Sequence, residues 1–273
     1  MLPGYAFIKT HKVGGTTVMR MLQRTLLETQ NNTRCDDNNQ TVKVMRPPPR
    51  GCRACLTHAS HWQIAGVLRF PNLASAQKAI LKVCPFWVPA RRVHTMIMLR
   101  EPVDRLQSRY HHERSSGWCR RTAAALGLRG CASDKYAFAE WLFVSPVELV
   151  ARQLFSKPQS WNHAETVVTL GGHGGVPTAL RVLKNIEVVG LTHRLNDTLR
   201  VLSASWGLPA HVLRKHLGHA NRGTFRSTLN TSVARAMRKQ SLWIQREQIL
   251  YDYASTRLTK TLKELERTGN TWD

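Results

Sequence analysis

The chain has 273 residues, of which 42% are hydrophobic, with 40 Lys and Arg against 17 Asp and Glu. That much apolar sequence can bury a large core, which excludes a disordered polycation, and no period of about 20 to 50 residues recurs, which excludes repeat architectures. The formal net charge of +23 calls for a polyanionic partner. Nucleic acid, an anionic glycan, an anionic membrane surface or a phosphate-rich cofactor would each satisfy it, because such a field reads charge density before chemistry.

In chain order, Tyr5 to Lys9 reads as a short buried strand, Thr10 to Gly15 as a tight loop, and Thr16 to Leu27 as a helix with Val18, Met21, Leu22 and Leu26 on one side. No stretch approaches the roughly 20 apolar residues that span a bilayer, and Met1 to Glu28 lacks the regions of a signal peptide. A soluble chain is expected as written, with an anchor or leader upstream of the first strand left open. Residues 29–51 turn to Asn, Asp and then Pro47-Pro48-Pro49, the composition of an exposed loop. Thr95 to Leu99 is a second buried strand, and Pro102 sits where a first-turn proline is favoured, opening a helix toward Tyr110. Tyr136 to Phe155 reads as helical, Ile186 to Gly190 as a third strand, Asn196 to Trp206 as a helix, and Ser232 to Glu266 as mainly helical. Alternation of this kind predicts one α/β domain over residues 1–273, with a central parallel sheet flanked by helices and ligands at the carboxyl ends of its strands.

Six cysteines are present, and Cys119 and Cys131 bracket a short segment that a disulfide could staple in a secretory compartment. Cys52 and Cys55 have the spacing of half a zinc site, but no second pair follows at suitable spacing, so a metal is not expected. Glycosylation triplets begin at Asn31, Asn39, Asn196 and Asn230; they support a lumenal compartment weakly, since such triplets also arise by chance.

The most informative run is Lys9-Thr10-His11-Lys12-Val13-Gly14-Gly15-Thr16-Thr17, between a strand and a helix. The glycines let backbone N–H groups approach an anion, the helix start offers unpaired donors, Lys12 supplies a full charge, and Thr16 and Thr17 add hydroxyls. It is not the phosphate loop of nucleoside triphosphatases, in which the lysine follows the glycines; Lys12 precedes them. The plain alternative is a tight turn with solvated lysines. A second run, Arg100-Glu101-Pro102 through Ser108, puts Arg100 at a strand end and Ser108 along the next helix, with Arg105 three residues before it, so that these side chains could hold another phosphate. Here the plain alternative is a surface helix with ordinary ion pairs.

Together the two runs resemble the paired signatures of the sulfotransferase superfamily, which uses 3′-phosphoadenosine 5′-phosphosulfate as donor. The first run looks most like the Golgi galactose 3-O-sulfotransferases and, less closely, the uronyl and heparan 2-O-sulfotransferases. Further similarity lies in Leu149 to Leu154, Val188 to Thr192, His219 to Arg222 and Ile249 to Ala254. The resemblance implies a P-loop-like three-layer fold of sulfotransferase type. It places the 5′-phosphosulfate on Lys12, Gly14, Gly15, Thr16 and Thr17, and the 3′-phosphate on Arg100 and Ser108, with Arg105 a weaker candidate. In the Golgi members a histidine on a strand after the first helix is the catalytic base; Leu56 to His61 resembles that segment, with His58 the nearer match and His61 in reserve. One departure is His193, which follows Gly190-Leu191-Thr192 where the family commonly has a glutamate.

Sulfonate transfer between two oxygens needs a base for the acceptor hydroxyl and cations for the charge on the leaving phosphate, which suits His58 and Lys12 as catalytic residues and needs no metal. The resulting expectation is a carbohydrate sulfotransferase acting on a glycan or glycolipid, favourably an anionic one, in the Golgi if an anchor lies upstream. Nucleic acid is the disfavoured partner. The competing expectation is a noncatalytic basic protein that binds nucleic acid or heparin-like chains, which leaves the Gly-rich run unexplained. A phosphotransferase ranks last, for want of an acidic metal-binding motif.

Overall fold

The computed structural model describes residues 4–9, 14–29, 55–60, 93–116, 165–171, 174–217, 235, 238–239 and 241–269. Among these, four strands form one wholly parallel sheet: β1 (Gly4–Lys9), β2 (Cys55–Ser60), β3 (Val93–Leu99) and β4 (Val188–Leu191), in the order β2-β1-β3-β4. The side chains of His94 to Leu99 in β3, and all four of β4, are buried. Strands without a solvent-exposed face are what a parallel sheet covered by helices requires. The expectation of an α/β fold with a parallel sheet flanked by helices therefore holds.

Connectivity follows from that order. β1 leads through α1 (Gly15–Thr29) to β2 on one side, and the chain then crosses to the other side of β1 for β3 and β4. Right-handed crossovers running in opposite directions put their helices on opposite faces of the sheet. Between β3 and β4 lie α2 (Pro102–Ser116), α3 (Glu165–Gly171) and α4 (Gly175–Asn185). After β4, a 3₁₀ turn (Thr192–Arg194) leads to α5 (Leu195–Trp206), α6 (Ala210–Leu217) and the long α7 (Leu242–Arg267).

The expected strands and helices at Tyr5, Thr16, Thr95, Pro102 and Asn196 appear within a few residues of their anticipated bounds, and Ser232 to Glu266 is helical over the part that α7 covers. Val18, Met21, Leu22 and Leu26 form the buried stripe of α1, as their spacing requires. Three helices were not anticipated from the pattern, α3, α4 and α6, all short.

The third strand is shifted from its expected span. Ile186 ends α4, its N–H bonding the Leu183 carbonyl at 3.3 Å, while the Glu187 N–H is taken by Thr95 Oγ1 at 3.0 Å, so the ladder begins only at Val188. Gly190 then has to be glycine. A Cβ there would lie 2.2 Å from Thr198 Cγ2 and 2.6 Å from Met98 Sδ, so β4 and α5 could not approach as closely.

α7 binds the layers together. Ser241 caps it by accepting the Ile244 N–H at 3.3 Å, and Ile244, Leu250, Ala254, Leu258 and Leu262 are buried along one stripe. Its Arg257 guanidinium donates to the carbonyls of Leu183, Ile186 and Glu187, supplying partners where α4 runs out of intrahelical donors. Residues 30–51 of the expected loop, Cys119 and Cys131, and Tyr136 to Phe155 lie outside the described residues.

Candidate functional site

In a sheet of this order, the chain leaves β1 toward one edge and β3 toward the other, which opens a crevice beyond their carboxyl ends. β1 and β3 are direct neighbours, paired from Gly4–Val93 to Ile8–Ile97. The Gly-rich run follows the first strand and Arg100 follows the second, so both expected phosphate corners emerge at this one crevice.

At the first corner Gly14 has φ +74°, the left-handed region that favours glycine, and its carbonyl accepts the Val18 N–H at 3.1 Å to start α1. Gly15 and Thr16 begin that helix, and Thr17 is half-buried in its first turn. Lys12 lies outside the described residues.

At the second corner Arg100 is half-buried directly after β3. Desolvation by burial lowers its guanidinium below the ordinary arginine value, against the opposing pull of Asp104 and Glu101. Glu101 caps α2: its carboxylate accepts the Asp104 N–H at 2.7 Å and its carbonyl the Arg105 N–H at 2.8 Å, with Pro102 as the first helical residue. That helix start is thus filled by the chain's own carboxylate, which also accepts from Arg238 at 3.0 Å. With Arg238 paired to Glu101, the positive charge nearest the strand end is Arg100 rather than the helix start.

Ser108 is half-buried two turns into α2. Arg105 does not share its environment. It is 1% exposed, with Nη2 3.9 Å from Glu247 Oε2 of α7, and Glu247 in turn accepts the Val167 N–H at 2.7 Å. The idea that Arg105 and Ser108 face one anion is corrected: Arg105 is committed to a buried junction of α2, α3 and α7, because a buried carboxylate needs a cation beside it.

His58 lies on β2, level with Phe7 of β1 and two residues before the end of the strand at Ser60, which pairs with Lys9. Its backbone is therefore on the neighbouring strand whose carboxyl end borders the same crevice. His61 lies outside the described residues.

The third wall was not assigned from sequence beyond its motif. Thr192, the first residue after β4, donates from Oγ1 to the Leu99 carbonyl at 3.1 Å, and its Cγ2 lies 3.7 Å from where a Cβ of Gly14 would stand. The turn behind it is rigidly held. Thr198 Oγ1 accepts the Leu191 N–H and donates to the Arg194 carbonyl, both at 3.0 Å, while Arg194 reaches Asp197 at 2.8 Å and Thr259 of α7 at 2.7 Å. His193, at the position of the departure noted above, hydrogen-bonds the Tyr251 hydroxyl through Nδ1 at 2.9 Å. Desolvation first, then the charges of Glu101, Asp104 and Asp252, hold the Tyr251 phenol above its ordinary value, so it remains a neutral hydroxyl. Gly190-Leu191-Thr192 at a strand end was the available signal for this wall; no spacing rule links it to Tyr251.

Among the described residues no helix is long and apolar enough to cross a membrane. No protein-family model matches the chain, and no curated protein matches it significantly.

Proposed function

We propose that the protein is a carbohydrate sulfotransferase with a P-loop-like fold of sulfotransferase type, moving a sulfonate group from 3′-phosphoadenosine 5′-phosphosulfate to a glycan hydroxyl. The observation that carries the reading is the adjacency of the corners at Gly14 and Arg100 at the sheet's crossover crevice. A ligand with phosphates at both ends of an adenosine needs two anion sites on one crevice, and a noncatalytic polyanion surface needs no such crevice.

In this reading Lys12, Gly14, Gly15, Thr16 and Thr17 hold the 5′-phosphosulfate, and Arg100 and Ser108 the 3′-phosphate. The acceptor oxygen forms its bond to sulfur as the bond from sulfur to the bridging phosphate oxygen breaks. His58 takes the hydroxyl proton, Lys12 stabilises the charge on the leaving oxygen, and adenosine 3′,5′-bisphosphate departs. The acceptor is a glycan or glycolipid, its anionic forms favoured by the charge of +23, and the compartment is the Golgi if an anchor lies upstream.

The test is transfer of sulfur label from donor to a panel of neutral and acidic glycans, with calorimetric titration of adenosine 3′,5′-bisphosphate beside it. Labelled glycan, lost in His58→Ala and Lys12→Ala, is the expected result. Salt-sensitive binding to heparin or nucleic acid, with no label transferred and no affinity for the bisphosphate, would sink the enzyme reading in favour of a polyanion-binding protein.

A further inference from the structure

The two phosphate corners are joined by the sheet only as far as the Ile8–Ile97 pair. Gly14 lies several residues past the end of β1, and Arg100 is the first residue past β3, so something beyond the sheet must fix one against the other. Thr192 is placed to do it. Leu191 pairs with Leu99, which sets Thr192 just beyond the end of β3, and its hydroxyl holds the last carbonyl before Arg100. Its methyl stands 3.7 Å from where a Cβ on Gly14 would lie, which puts it beside the Gly14 turn. The backbone bearing it is clamped by Thr198 and by the Arg194 contacts to α5 and α7.

We infer that Thr192 is a positioning residue that couples the Gly14 corner to the Arg100 corner, so that the two ends of an adenosine bisphosphate are bound as one unit. The inference rests on the donor reading above. Each corner can bind its own phosphate unaided. The second phosphate then gains when the first has bound, because the distance between the corners is already fixed and no ordering remains to be done. Only threonine carries both groups: valine keeps a methyl toward Gly14 and loses the hydroxyl, and serine does the reverse.

The experiment titrates the full chain with adenosine 3′,5′-bisphosphate, adenosine 5′-monophosphate and adenosine 3′-monophosphate, in the wild type, Thr192→Val and Thr192→Ser, with thermal melting alongside. For Thr192→Val, the bisphosphate is expected to weaken by about 5- to 10-fold, the scale of one lost hydrogen bond, while each monophosphate changes by less than about twofold. Thr192→Ser should weaken the bisphosphate by about 2- to 3-fold, the scale of one lost methyl contact. Equal weakening of all three nucleotides would reduce Thr192 to a merely structural residue, and unchanged affinity for the bisphosphate would remove the coupling; either outcome overturns the inference while leaving the donor reading intact. A wild type that binds no bisphosphate overturns both.

Discussion

The two ends of the sheet are built on opposite principles. At the amino end, His94 and Glu187 pair with each other and aromatic rings fill the remaining space, with the Trp206 indole N–H buried there without a hydrogen-bond partner. His94 Nδ1–H donates to Glu187 at 2.9 Å, and its ring stacks on Tyr5 with centroids 5.1 Å apart. Trp206 closes the cluster at 5.0 Å from Tyr5 and 5.7 Å from His94. At the carboxyl end the backbone turns through Gly14, an arginine is held half-buried at a cost, and a histidine and tyrosine stand at the rim. One end spends its chemistry on closing the fold. The other gathers Arg100 and two strand-to-helix turns at the crevice, so substitutions at the two ends should separate stability from binding.

The largest separation is expected from Trp206→Ala. Trp206 is 5% exposed, and truncating a buried tryptophan typically costs about 3–5 kcal/mol, so the melting temperature should fall steeply. Nucleotide affinity, measured below the new transition, should stay within about twofold, since the cluster lies at the end of the sheet away from the crevice. A loss of affinity comparable to the loss of stability would break the division between the two ends.

Arg100→Met should behave in the reverse way. Arg100 is only half-buried and sits at the rim, so its removal should lower the melting temperature far less than Trp206→Ala does. Affinity for adenosine 3′,5′-bisphosphate should fall about 10- to 100-fold, the worth of a charge-assisted contact, with little change for adenosine 5′-monophosphate. A destabilised variant that binds normally would make Arg100 a scaffold residue.

The smallest effect is expected far from either end, where Glu28 of α1 meets Lys215 of α6 at 2.9 Å and His216 at 2.7 Å. Hydrogen bonds from Lys215 first, then His216, hold the carboxyl below its ordinary value of 4.5. The folded state thus binds a proton less readily than the unfolded one. Its contribution is present above the unfolded value and is lost as pH falls through and below it. Melting curves should show a slightly weaker acid dependence for Glu28→Gln than for the wild type; identical curves would show that the contact contributes nothing.

Much of this architecture was legible locally. Tyr5 to Lys9 and Thr95 to Leu99 are apolar runs too short for helices, each leading into a helix with its own start signal, Gly14 in one case and Pro102 in the other. Such features depend on neighbours in the chain, and the two phosphate corners could therefore be nominated from residue types alone. Arg105 shows the limit. Its spacing from Ser108 suggests a shared ligand, yet Glu247 of α7, far along the chain, draws it into the core. Ile186 likewise reads as strand by composition but is needed to finish α4 and to let Glu187 meet Thr95.

By itself, then, the sequence determined that strands alternate with helices, that the charge is strongly positive, and that Gly14 and Arg100 stand at strand-to-helix corners, because periodicity, turn chemistry and charge are properties of short stretches. Only the tertiary structure decided that β1 and β3 are neighbours, that Thr192 bonds the end of β3, and that Tyr251 answers His193. Those facts depend on which distant segments bury their apolar faces together, and no local pattern encodes that choice.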